Sequence, residues 1–172
     1  MRSWRAVLDA QVWLSAAISV DGSARAIVAA ARGGRFRIVT SPYVQAEVRE
    51  ILRRPSVRAL MAPAFDPGEW LESVELVAAD VVDRSDGPAI VAADPDDDPY
   101  LWTAYVGAAT HVVTWDAEVL AWKHYREAQV VDPPSFLREL RRRGSFSAEG
   151  STARGSRRYS RDTGSLLRPR DR

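Results

Sequence analysis

The sequence contains no cysteine and only two histidines, and none of its windows approaches the roughly 18 uninterrupted apolar residues that a membrane-spanning helix needs. Without thiols there can be no disulfide framework and no thiolate zinc site, so a bound metal would have to be held by oxygen or by one of two imidazoles. The N-terminus shows no basic start, apolar run and small-residue cleavage site of the kind that marks a secretory signal. The expectation is a soluble protein of the reducing cytoplasm with no membrane partner. Net charge is nearly absent as well, at +1. What is present is apolar material, 46% of 172 residues, enough for one domain with a real core.

The small net charge conceals two unlike parts. From Gly144 onward seven Arg stand against Glu149, Asp162 and Asp171, so this segment carries +4 and the remainder about −3. The segment is rich in Ser and Gly and poor in apolar residues, and so cannot bury enough surface to offset its ordering entropy. The expected organisation is a domain over residues 1–143 and a basic, disordered tail over 144–172. Such a tail is either an extension without function or an arm that gathers nucleic acid through its phosphates.

Within residues 1–143 the pattern alternates. Trp4 to Leu8 reads as a buried strand, then Val12 to Ile18 and Ala24 to Arg32 as helices, the second closed by Gly33 and Gly34. Phe36 to Thr40 is the next strand, and Ser41 and Pro42 supply the N-cap and first residue of an amphipathic helix through Arg53. Asp66, Pro67 and Glu69 open another helix that leads into Val74 to Val82, with an extended end. Asp97 to Ala109 reads as a helix, His111 to Trp115 as a strand and Val130 to Val131 as a short strand, and Asp132, Pro133 and Pro134 open a last helix. Strands separated by helices predict an α/β fold, a three-layer sandwich with a central parallel sheet flanked by helices. Sites in such sheets form beyond the carboxyl ends of the strands.

Acidic residues fall on those ends. Asp9 directly follows one apolar strand and Asp116 another, which puts both on the same edge of a parallel sheet. On the helix after Pro42 the apolar stripe runs through Val44, Val48, Ile51 and Leu52, and Glu47 lies on that stripe while Glu50 faces away. A lone Glu on an apolar face costs several kcal/mol if charged and unpaired, so it asks for a cation, a partner or partial exposure. In the acidic run Asp94 to Asp98, the stripe through Leu101, Ala104, Tyr105 and Ala108 extends back to Asp97, which selects Asp97 over its neighbours. Asp98, before Pro99, suits a helix start through the macrodipole, and Asp94 and Asp96 suit loop solvation or an outer position around metal-bound water. Clustered carboxylates of this kind form a site for a hard cation.

Four segments carry a resemblance: VLDAQVWLSA from Val7 to Ala16, SPYVQAEVREIL from Ser41 to Leu52, DPDDDPYLWTA from Asp94 to Ala104, and VVTWDAEVL from Val112 to Leu120. In this order and at this spacing the chain resembles the PIN-domain nucleases, in particular the branch of toxins from bacterial toxin-antitoxin pairs. The resemblance spans Arg5 to Leu140 and implies a metal-dependent endoribonuclease. Its metal ligands would be Asp9, Glu47, Asp97 and Asp116, its ion Mg²⁺ or Mn²⁺, its substrate RNA and its partner an antitoxin protein. Thr114 matches a hydroxyl that orients the last acid, and Glu118 an acid two residues beyond it; with Asp94 and Asp98 these make an outer set. The chain departs from the family at Ala10 and Gln11, where many relatives carry Thr and Asn, and at Trp115, where a small residue is common.

His111 and His124 have no partner at metal-ligand spacing and suit surface or structural roles. Ser15 lies in no Gly-x-Ser-x-Gly elbow, and no phosphate-cradling loop of the GxxxxGK type is present. The six Trp are scattered, which suits core or interface; Trp115 is read as core in preference to a base-stacking residue. A homodimer face could be supplied by Trp70, Leu71, Val74 and Leu76, or by other helices.

Overall fold

The computed structural model describes residues 3–82 and 98–152. In chain order the strands are β1 (Arg5–Leu8), β2 (Arg37–Thr40), β3 (Ala79–Val81), β4 (His111–Val113), β5 (His124–Tyr125) and β6 (Ala128–Val131). The helices are α1 (Ala10–Ile18), α2 (Ser23–Arg32), α3 (Pro42–Arg53), α4 (Pro55–Arg58), α5 (Pro67–Ala78), α6 (Asp98–Val106), α7 (Ala117–Ala121) and α8 (Pro133–Thr152). The sheet has the order β3-β2-β1-β4-β6-β5. All pairings are parallel except that of β5 with β6. This is the expected α/β sandwich with a mostly parallel sheet flanked by helices.

The strand residues explain the burial. Ala6, Val7, Leu8, Ile38, Val39, Val112 and Val113 are all buried, as an inner strand covered on both faces requires. Capping follows the sequence: the Asp9 side chain accepts from the Val12 N–H, Ser41 from Val44, and Asp66 from Gly68 and Glu69. The turn that follows α6 comes so close to the sheet that a Cβ on Gly107 would overlap the Val39 side chain. At the amino end of β4, His111 is buried among Trp4, Phe36 and Phe136, the ring centroids of Trp4 and His111 lying 4.4 Å apart and those of Phe36 and Phe136 5.1 Å. His111 is thus structural, and it sits at the edge opposite Asp9 and Asp116. Among the described residues no single helix is long and apolar enough to cross a membrane.

The structure corrects several expectations. Leu71 and Val74 are core, not dimer surface, because the inward stripe of α5 is Pro67, Leu71, Val74 and Ala78; only Leu76 of the proposed face is strongly exposed. On α6 the buried residues are Tyr100, Leu101, Trp102, Thr103 and Ala104, while Tyr105 and Ala108 face outward. Strand β4 ends at Val113, so Trp115 leaves the sheet and its side chain is exposed rather than packed in the core. Short elements with little periodicity, α4, α7 and β5, had no sequence signal. Helix α8 continues beyond Arg143 to Thr152, carried by good helix formers from Leu137 to Arg143; residues 153–172 of the basic tail lie outside the described residues. The chain divides into two units after Leu140, and the first holds the sheet and the core.

Edge strand β3 is only three residues long and is held by charge. Asp80 accepts from Arg5 Nη1 at 2.7 Å and from Arg37 Nη2 at 2.7 Å, and Arg37 also donates to the carbonyls of Val77 and Ala79. The bonds from Arg37 and the charge of Arg5 hold the Asp80 carboxyl below its usual pKa of 3.8. A carboxyl whose folded pKa is depressed contributes stability that is complete above its unfolded value and fades as pH falls through the folded one. Asp80→Asn is expected to cost about 1 kcal/mol at neutral pH, a value kept small by partial exposure. Urea denaturation should show that difference shrinking below pH 3.8; a deficit that does not change with pH would contradict the ionic origin.

Candidate active site

The register of β1 and β4 pairs Leu8 with Val113, and the Asp9 N–H donates to the Val113 carbonyl at 3.1 Å, one step past the end of β1. Asp9 therefore lies beside the segment Thr114 to Asp116. Its Oδ1 accepts from the Val12 N–H at 2.9 Å and its Oδ2 from the Trp115 N–H at 3.2 Å. The Thr114 hydroxyl bonds to the same carboxylate and accepts from the Asp116 N–H at 2.9 Å. Thr114 thus links the Asp9 carboxylate to the Asp116 backbone N–H. Asp116 caps α7, its Oδ1 accepting from Glu118 at 2.7 Å and Val119 at 3.2 Å.

Glu47 reaches the same edge from α3. It is half-buried, whereas Glu50 is exposed and pairs with Arg54 at 3.1 Å, so the division predicted from periodicity holds. The phenol of Tyr100, on α6, donates to Glu47 Oε2 and accepts from the Ala10 N–H at 3.2 Å. One side chain therefore ties α3, α6 and the start of α1 together. Burial, and then the bond to Glu47, hold the Tyr100 hydroxyl far above its usual pKa, so it remains a donor. Thr103 adds a second tie, its hydroxyl donating to Ser41 Oγ at 3.0 Å. Tyr100 was missed in the sequence; its position three residues after Asp97 on the inward face was the available signal.

The electrostatics ask for positive charge. Asp9 is only 8% exposed, and burial raises its carboxyl pKa against the lowering effect of its hydrogen bonds. Among the described residues, neither Asp9, Glu47 nor Asp116 has an ion-pair partner. Asp9, Glu47, Asp116, Thr114 and Tyr100 all offer oxygen at this edge, the donor set of a hard cation. Asp94 and Asp97 lie outside the described residues, and Asp98 is the first residue of α6. Among the described residues no three His, Cys, Asp or Glu form a group that could hold an ion, so the described acids do not make a complete site by themselves. Glu118 is exposed, contributing only its backbone N–H to Asp116. Gln11 is exposed too. Cavities of about 350 Å³ between α3 and α5 and about 420 Å³ beside Tyr105 and Arg126 are lined by none of these acids.

A family model described as PIN domain matches residues 5–118, from β1 to the start of α7. The chain belongs to the PIN-domain family. The crystal structure of PAE2754 from Pyrobaculum aerophilum aligns with a TM-score of 0.51 at 19% identity, over 80% of this chain and 89% of that one. At that identity the likeness concerns the fold. No match is found among curated proteins. PIN domains are generally nucleases, so the fold is of nuclease type and the acids above stand at the edge of a hydrolase scaffold.

Asp9→Asn keeps an N-cap acceptor and removes a charge that is costly to bury. The Asn amide nitrogen cannot accept from the Trp115 N–H, a cost that opposes the gain from removing the charge, so in EDTA at neutral pH the variant is expected to melt within a few degrees of wild type. A cation at ten times its dissociation constant adds about 1.4 kcal/mol, or about 3–6 °C at this size, and Mn²⁺ should give that shift to wild type only. Equal shifts in both proteins, read by differential scanning calorimetry, would remove Asp9 from the site.

Proposed function

We propose that this PIN domain is a divalent-metal-dependent endoribonuclease whose ligands are Asp9, Glu47, Asp97 and Asp116 and whose ion is Mg²⁺ or Mn²⁺. The observation that carries the reading is the buried Asp9 carboxylate without a cationic partner, linked through Thr114 to Asp116 and through the Ala10–Tyr100 bridge to Glu47. Asp97, outside the described residues, stands three positions before Tyr100 in the sequence. When bound, such a cation neutralises charge on the phosphate and leaving oxygen and makes water acidic enough to act near neutral pH. The chain's own contribution is to hold the carboxylates still. Thr114 fixes Asp9 against Asp116, and Tyr100 fixes the rotamer of Glu47 by donating to it. The toxin role, with an antitoxin covering the acidic edge, rests on the four segments that resemble that branch, and a cytoplasmic setting suits both.

A second reading has its own support. Both oxygens of Asp9 and one of Asp116 already accept backbone N–H groups, and Ala10 and Gln11 supply no hydroxyl or bonded amide beside them. That arrangement also suits a catalytically weak module that binds RNA or protein. Single-stranded RNA incubated with the purified protein and Mn²⁺ separates the two. The nuclease reading predicts internal cleavage that falls at least a hundredfold in Asp9→Asn and in Asp97→Asn and stops in EDTA, as loss of electrostatic stabilisation by a ligand would do. Binding without turnover in wild type, or the same cleavage in all three proteins, would contradict it.

A further inference from the structure

Four of the six Trp are used by the fold: Trp13 and Trp102 are buried, and Trp4 and Trp70 pack against the core. Trp115 and Trp122 are each 44% exposed. Only Trp115 is joined to the acidic edge. Its own N–H bonds Asp9 Oδ2, and the residues on either side are Thr114, whose hydroxyl bonds Asp9, and Asp116. The backbone beneath the indole is therefore held on three consecutive residues, while the ring has no aromatic or cationic partner among the described residues. A large apolar face left in water gains nothing for the fold. A flat ring carried on backbone that is held beside the acidic edge can stack on a base.

We infer that Trp115 is the platform on which an unpaired base flanking the scissile phosphate stacks, so that this exposed indole carries part of the affinity for a single strand. This rests on the ribonuclease reading. Bases within a duplex are already stacked and paired and present no free face to a protein ring, whereas a single strand can splay one out. Stacking does not depend on base identity, so the residue selects strandedness and not sequence.

The test uses the full chain and a fluorescein-labelled single-stranded RNA of mixed sequence, alone and annealed to its complement. Fluorescence anisotropy in EDTA should show Trp115→Ala binding the single strand about tenfold more weakly than wild type, with Trp115→Phe recovering most of the loss. Duplex affinity should be alike in all of them, and Trp122→Ala, which removes an equally exposed ring, should match wild type. In Mn²⁺ the Trp115→Ala loss should lie in KM with kcat retained. Cleavage by wild type with binding unaffected by Trp115→Ala would overturn the inference and leave the nuclease standing. Trp115-dependent binding without cleavage would uphold the platform and refute the nuclease. Equal weakening in Trp122→Ala, a preference for duplex, or no binding of either RNA would overturn the platform.

Discussion

The parallel pairing of β1 with β4 is the constraint on which the acidic edge depends. With Leu8 opposite Val113, the residue after β1 meets the three residues after β4, and the bond from the Asp9 N–H to the Val113 carbonyl extends the ladder to the site itself. A slip of one residue would turn the side chains of a strand to the other face and separate Asp9 from Thr114. Both strands are buried, which makes such a slip costly. The core thus fixes the relative position of two carboxylates that would otherwise repel.

The aromatic cluster and the acidic edge occupy opposite ends of this sheet. The amino ends carry an aromatic cluster of Trp4, Phe36, His111 and Phe136, together with the Arg5–Asp80–Arg37 tie, in which one carboxylate is held between two guanidinium groups. The carboxyl ends carry acids with hydrogen-bond donors and no Lys or Arg in an ion pair with them among the described residues. Asp9, pushed upward by burial, is the clearest case of a group that the fold alone does not favour. Local cost of this kind, held in place by its surroundings, is common at functional sites.

Asp9 and Glu47 were legible in the sequence for different reasons. Asp9 follows an apolar strand directly, and Glu47 interrupts an apolar helix stripe; both signals are local. The parallel order was legible from the alternation of strands and helices. The Tyr100 bridge was not, because it depends on how α3 and α6 meet, which no single periodicity encodes. Trp115 was misread as core because the apolar run through Val112 and Val113 was extended two residues too far, past the point where pairing with β1 ends. The inward face of α5 was misjudged because apolar residues on both sides of that helix blur its stripe.

The central claim is that a divalent cation sits among Asp9, Glu47, Asp97 and Asp116. Anomalous diffraction from crystals soaked in Mn²⁺ tests it most directly. A peak is expected about 2.1 Å from a carboxylate oxygen of Asp9, with the other three acids bound to it directly or through water. A peak confined to another part of the surface, or none at saturating Mn²⁺, would contradict it.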